Sequence, residues 1–88
     1  MIETTIKNVI EKVRLLYGNL SKYKGILNSY PYIELKMCGN LLEITHIKFT
    51  SMYDGKLLIT DRGIYYSTDY GDYEPIQEFS SFREFLNS

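Results

Sequence analysis

The sequence predicts an α+β fold, because helical spacing of apolar residues near the start changes to strand spacing after Pro31 and returns near the end. The chain of 88 residues is the size of one small domain, so we take residues 1–88 as a single domain. The expected architecture is α-β-β-β-β-α. In it, a four-stranded antiparallel meander carries an N-terminal amphipathic helix on one face, and a short C-terminal helix closes an edge or end.

The N-terminal helix has the strongest periodic pattern in the chain. Its apolar residues recur at steps of three and four, which is the spacing of one helical face: Ile6, Val9, Ile10, Val13, Leu16, Tyr17 and Leu20. Gly18-Asn19 predicts where this helix ends. A second short helix, or a broken continuation of the first, is expected between Leu20 and Tyr30. Pro31 ends it, because the residue before a proline is driven out of helical geometry.

After Pro31 the apolar residues alternate with polar ones, as on a half-buried strand: Ile33, Leu35 and Met37. Gly39-Asn40 predicts a tight turn into a second strand. The alternation in that second strand slips by one residue near Thr45-His46, so we expect a β-bulge there.

Two further turns are predicted at Asp54-Gly55 and at residues 61–63, which gives four sequential antiparallel strands ending near Ser67. Residues 69–75 contain no aliphatic side chain and are expected to form an exposed loop. Ser81 and Glu84 have capping-box spacing and predict the start of the last helix. Its phenylalanines must dock on the sheet or on the first helix, because so short a helix is unstable alone.

Composition limits the class of protein. Hydrophobic residues make up 44% and charged residues 24% of the chain, which is typical of a domain that folds unaided. The N-terminus lacks the pattern of a secretion signal, and no apolar run is long enough to span a bilayer. The single cysteine, Cys38, cannot form an internal disulfide. We therefore expect an intracellular, cytoplasmic protein.

No recognisable catalytic or metal-binding pattern is present. His46 is the only histidine, and it should lie several residues along the strand ladder from Cys38, so a Cys-His pair is not expected. The acids Asp69, Asp72 and Glu74 lack the register of a known calcium loop. Phosphate-binding loops and nucleophile elbows are also missing. The sequence thus predicts a protein that is not an enzyme and holds no metal or cofactor.

The least ordinary segment runs from residue 65 to residue 74 and places four tyrosines among three carboxylates. Exposed tyrosines offer a large contact area at low entropy cost, and carboxylates between them suit a basic partner. We therefore predict a partner-binding surface made of Tyr66, Asp69, Tyr70, Asp72, Tyr73 and Glu74. The alternative is that Tyr65 or Tyr66 packs inward and that the loop is only solvated.

Charge is divided unevenly along the chain and leaves room for a second kind of partner. Residues 1–50 carry seven Lys or Arg and four Asp or Glu, about +3, whereas residues 51–88 carry three and seven, about −4. Lys22 and Lys24 flank Tyr23, which suggests phosphate contacts with base stacking. The net charge of −1 argues against a dedicated nucleic-acid binder, so direct nucleic-acid binding is the weaker alternative.

The order of these elements, together with the acidic and tyrosine-bearing segment, resembles small phage-encoded inhibitors of the anti-CRISPR kind. The resemblance covers the order of elements and the charge of residues 69–74 without a diagnostic motif, so no site residue is carried over from it. It implies an inhibitor that blocks a nucleic-acid-binding groove of a host defence protein, acting in the host cytoplasm. The net charge of −1 is smaller than that of strongly acidic members, so full DNA mimicry is not expected.

The sequence also allows a different role. A homo-oligomeric structural or assembly protein could associate, as a homodimer for example, through the first helix or through an exposed strand edge. Such an assembly unit must self-associate, whereas an inhibitor need not.

Overall fold

The computed structural model describes residues 1–68 and 71–88. Their elements, in chain order, are α1 (Ile2–Tyr17), α2 (Ser21–Leu27), β1 (Tyr32–Cys38), β2 (Leu41–Ser51), β3 (Gly55–Thr60), β4 (Gly63–Ser67), β5 (Glu74–Glu78) and α3 (Phe82–Asn87). The strands form one antiparallel sheet in the order β1-β2-β3-β4-β5. The α+β class, the meander and both terminal helices are confirmed.

The predicted number of strands was wrong, because Glu74–Glu78 form a fifth strand, β5. Its first two residues lie in the segment that was expected to be a loop. Glu74 and Pro75 lie in β5, where they pair with Tyr66 and Tyr65 of β4. Strand β5 has an edge position, and a proline is tolerated there because one side of an edge strand needs no hydrogen-bond donor. Two glutamates and a proline gave the strand no recognisable β pattern.

The core lies between the helices and one face of the sheet. From α1 it takes Val9 and Val13, and from α2 it takes Ile26 and Leu27. The sheet contributes residues that face one another across the strands, namely Ile47, Phe49, Leu57, Ile59 and Ile64. The helices therefore form a single layer on one face. The alternate residues of the strands point to the opposite face, which no helix of the described chain covers.

The predicted β-bulge is present in β2. Glu34 of β1 pairs with His46, whereas the next residue, Leu35, pairs with Ile44, so that Thr45 is the extra residue. The insertion returns Ile44 to the helix-covered face that Ile47 and the following strands also line. A continuous apolar face thus survives the one-residue slip in the sequence.

Helix α3 is fixed at both ends. The Ser81 hydroxyl accepts a hydrogen bond from the backbone N–H of Glu84 at 3.0 Å, as the capping spacing predicts. At the other end, the Lys12 ammonium of α1 donates to the backbone carbonyl of Phe85 and to that of Ser88, the latter at 2.8 Å. Lys12 therefore satisfies carbonyls that a helix end leaves free, and it holds α3 against α1.

We expect Ser81→Ala to lower the free energy of unfolding by about 1 kcal/mol, because it removes the acceptor that caps α3. Urea denaturation measures the change. Ser21→Ala is the matched control, since Ser21 is an exposed serine at the start of α2 and makes no capping hydrogen bond. Equal effects of the two substitutions would contradict the capping role.

Glu84 makes the stability depend on acid pH. Hydrogen bonds from the backbone N–H and the hydroxyl of Ser80 lower the pKa of this carboxyl group. Its stabilisation is therefore fully present above the ordinary glutamate pKa of about 4.3 and is lost as the pH falls through the lowered value. Denaturation at a series of pH values should show a shallower acid loss of stability in Glu84→Gln than in the wild type. Superimposable profiles would exclude this contribution.

Candidate functional site

The predicted binding surface lies at the end of the sheet where β4 leads into β5. Asp72 and Tyr73 precede β5 and Glu74 begins it, and all three are exposed. Asp69 and Tyr70 lie outside the described residues. Tyr66 is on β4, directly opposite Glu74.

Tyr66 is half-buried and packs against the core, which is the inward packing considered as the alternative for this residue. Its ring meets that of Tyr23 edge-on, with centroids 5.5 Å apart. Its hydroxyl donates to the backbone carbonyl of Asp54 at 3.2 Å, and the Lys22 ammonium lies 4.6 Å from its ring centroid. Tyr66 therefore links α2, β4 and the β2–β3 turn beneath the site.

A cleft of about 350 Å³ lies beside Tyr66. It is lined by Lys22, Tyr66, Thr68, Gly71, Asp72 and Glu74. Lys22 is the one cation among these lining residues, and it sits over the Tyr66 ring. Across residues 1–68 and 71–88, no lysine or arginine nitrogen lies within 4.0 Å of a carboxylate oxygen of Asp72 or Glu74. Both carboxylates are thus available to an external positive charge.

The backbone around the cleft is fixed by Ser67, which is a buried polar residue. Its hydroxyl oxygen lies 2.7 Å from the carbonyl oxygens of both Thr68 and Gly71, so its proton can serve either acceptor. The N–H of Gly71 also donates to the carbonyl of Thr68 at 3.3 Å. These bonds hold the end of β4 next to the chain that enters β5.

The β2–β3 turn lies at the same end of the sheet and adds an aromatic residue that sequence analysis missed. The Tyr53 side chain is 89% exposed, and Met52 beside it is also exposed. The Ser51 hydroxyl donates to the Asp54 carboxylate at 3.0 Å, and Tyr66 donates to the Asp54 backbone carbonyl. The only sequence signal was a tyrosine next to a turn dipeptide, where a polar residue is usual.

We refer to Tyr53, Tyr66, Asp72, Tyr73 and Glu74 as the tyrosine–acid end. It combines two exposed aromatic rings, on the β2–β3 turn and just before β5, with two unpaired carboxylates, of which Glu74 begins β5 and Asp72 precedes it. Tyr73 is less exposed than Tyr53, with 39% of its surface open to solvent. Such a surface can make apolar and hydrogen-bonding contacts to a protein and attract positive charge.

The stacking arrangement considered for a nucleic-acid partner is not available. The Tyr23 ring is only 8% exposed and lies in the core, where it meets Tyr17 and Tyr66 edge-on. Lys22 lies over the Tyr23 and Tyr66 rings. Tyr23 is therefore not free to stack on a base, because the apolar face of α2 packs this ring in the core.

Cys38 and His46 do not meet. Cys38 pairs with Leu41 next to the β1–β2 turn, whereas His46 pairs with Glu34 and places its Nδ1 atom 3.4 Å from that carboxylate. A hydrogen bond with Glu43 raises the pKa of the Cys38 thiol, which disfavours the nucleophilic thiolate. Within the described chain, no three His, Cys, Asp or Glu side chains are grouped to hold a metal ion.

Comparisons of the chain with protein-family models, with curated proteins and with solved structures gave no match. Among the described helices, none is both long and apolar enough to cross a membrane.

Gly55 fixes the β2–β3 turn against β4 and offers a test of this geometry. Its φ is +108°, and a methyl group on its Cα would lie 2.5 Å from the backbone oxygen of Ser67. We expect Gly55→Ala to destabilise the protein by about 3 kcal/mol or more, since it adds backbone strain and a backbone clash.

Gly39→Ala is the matched control for Gly55→Ala. Gly39 also has a positive φ, +64°, but a methyl group there would meet no atom within 4 Å. Its cost should be about 1 kcal/mol, from backbone strain alone. Denaturant unfolding of both variants measures the difference, and equal costs would contradict the close approach of Gly55 to β4.

Proposed function

We propose that this protein is a non-enzymatic protein-binding module, and that its tyrosine–acid end binds a basic surface of another protein. The observation that carries the proposal is the state of Asp72 and Glu74. Both are exposed, and no lysine or arginine of the described chain pairs with them. Unpaired carboxylates on a fixed backbone can pair with a partner's cations without first losing internal partners.

The aromatic residues support a protein as the partner. Tyr53 and Tyr73 are exposed at the same end of the sheet as the carboxylates, and tyrosines of this kind often dominate the binding energy of protein interfaces. Tyr66 lies between these exposed tyrosines and the core, and its contacts with Tyr23 and Asp54 fix the backbone near them. The surface is therefore held in shape before binding, which lowers the entropy cost of association.

The specific role that we propose is inhibition of a host defence protein by a phage or mobile-element product. The acidic tyrosine–acid end would cover a basic groove that otherwise binds nucleic acid. Lys22 reduces the negative charge of the cleft, so the contact would depend on shape and aromatic packing as well as on charge. Asp69 and Tyr70 extend the acidic, tyrosine-bearing sequence of this surface.

Reversing two charges at the site should abolish capture of the partner. We expect the wild-type protein, immobilised and exposed to lysate of its native host cells, to retain a basic protein that mass spectrometry identifies. Asp72→Lys combined with Glu74→Lys should lose this protein, because the new lysines repel it. The thermal midpoint should change little, because both side chains are exposed.

The control variant combines Glu11→Lys with Asp61→Lys. It makes the same change in net charge at two exposed positions outside the tyrosine–acid end, on α1 and in the β3–β4 turn. It should keep the partner. Retention by both charge-reversed variants, or loss from both, would contradict binding at the tyrosine–acid end.

A further inference from the structure

Strand β1 has one side that no other strand of the described chain covers, because it lies at the edge of the sheet. It is joined to β2 by the two-residue loop Gly39-Asn40, in which Gly39 has a φ of +64° and Asn40 does not have a positive φ. This is the pattern of a type II′ hairpin, whose flanking residues, Cys38 and Leu41, exchange both backbone hydrogen bonds.

The direction of every backbone group in β1 follows from that pair. Hydrogen-bonding direction alternates along an antiparallel strand, so Cys38, Lys36 and Glu34 use their N–H and C=O groups toward β2. The alternate residues, Ile33, Leu35 and Met37, therefore point their N–H and C=O groups outward, away from β2. The free edge thus presents three N–H and C=O pairs in a row.

These outward groups match a second copy of the same strand. When two β1 strands run antiparallel with Leu35 opposite Leu35, Ile33 of each copy lies opposite Met37 of the other, and the three pairs can exchange six backbone hydrogen bonds. In the same register, Glu34 of each copy lies opposite Lys36 of the other. We propose that β1 is a self-complementary edge through which two copies of this chain form a two-fold dimer.

Charge selects this register over its neighbours. A shift by two residues in one direction places Lys36 opposite Lys36, and a shift in the other direction places Glu34 opposite Glu34. Like charges directly opposite one another are unfavourable. A shift by one residue would pair outward-pointing backbone groups with inward-pointing ones, which the ladder forbids. Only the register centred on Leu35 aligns the whole strand with unlike charges facing each other.

The apolar residues of β1 also favour a covered edge. Leu35 and Met37 lie on the face of the sheet that the helices cover elsewhere, yet they are 39% and 64% exposed, because the helical layer stops short of them. In the dimer, each Met37 side chain would pack beside Ile33 of the second copy, which borders that copy's core. Apolar surface that the monomer leaves in water would be removed from it.

The other edge strand, β5, has features that disfavour pairing with a second copy of itself. Pro75 of β5 has no N–H to donate, and a register shift interrupts the β4–β5 ladder. Antiparallel self-pairing centred on Ile76 would place Glu74 opposite Glu78 and repel both copies. Strand β5 is therefore protected against pairing with itself, whereas β1 carries one positive and one negative charge at positions that attract.

Two charge-reversed variants, mixed together, test the proposal. Sedimentation equilibrium of the wild type should give twice the chain mass of 10.4 kDa over a concentration series. Glu34→Lys alone, or Lys36→Glu alone, should weaken dimerisation about tenfold or more, because each places like charges opposite one another twice. An equimolar mixture of the two variants should restore the dimer, since two lysines on the β1 strand of one variant then face two glutamates on that of the other.

Glu11→Lys, at an exposed position on α1, makes the same charge change as Glu34→Lys and is the control; it should leave the mass unchanged. The double variant Glu34→Lys with Lys36→Glu should dimerise like the wild type, which shows that loss in the single variants is not loss of folding. A monomeric wild type would overturn the proposal. It would also be overturned by a dimer that survives both single reversals or by a mixture that stays monomeric. None of these results bears on the tyrosine–acid end, whose variants leave β1 intact.

Discussion

The fold depends on a single helical layer that must cover a sheet longer than itself. Helix α1 has 16 residues and is about 24 Å long, whereas the 11 residues of β2 extend over about 36 Å. Val9 and Val13 of α1 are themselves fully buried in the core that lies against the sheet. The helices cannot also cover its far end, so the β1–β2 hairpin reaches beyond the core, and the long axis of the molecule measures 39 Å.

This shortfall explains where the two candidate contact surfaces lie. At one end of the sheet, α2 brings Lys22 and Tyr23 under Tyr66 and supports the tyrosine–acid end. At the edge, β1 extends past the helices with its apolar side chains in solvent. The surfaces share no residue, so one copy could use both. Because paired β1 strands would run antiparallel, a dimer would carry its two tyrosine–acid ends at opposite ends of one continuous sheet and could engage two partners.

The sequence was sufficient to predict those elements in which local interactions and tertiary packing favour the same structure. The one-residue slip near Thr45 was sufficient to predict the bulge, because apolar residues must stay on the covered face. Ser81 and Glu84 were sufficient to predict the cap of α3, since capping is a local interaction. In contrast, β5 pairs only with its neighbour β4, and its own residues, three charged or polar side chains and a proline beside Ile76, carry no alternating strand signal.

The candidate site was predictable in part. The exposure of Asp72, Tyr73 and Glu74 follows from their lack of aliphatic neighbours in sequence. The burial of Tyr66 could not be separated from that of Tyr65, because two adjacent tyrosines on a strand give no preference for either face. The register of the β3–β4 pair determines which tyrosine faces the core, since Tyr66 lies opposite the buried Leu57. Tyr53 joins the site only because two turns meet at one end of the sheet, which is a property of topology.

The contact between α1 and α3 has a consequence for how the chain folds as it is made. The meander forms from neighbours in sequence, so its strands can pair while the protein is still being synthesised. Val9 and Val13 belong to the same core cluster as Phe85, and Lys12 binds the carbonyl of Phe85 more than seventy residues later. The first helix must therefore wait, with part of its apolar face open, until the ribosome has released residues 82–87.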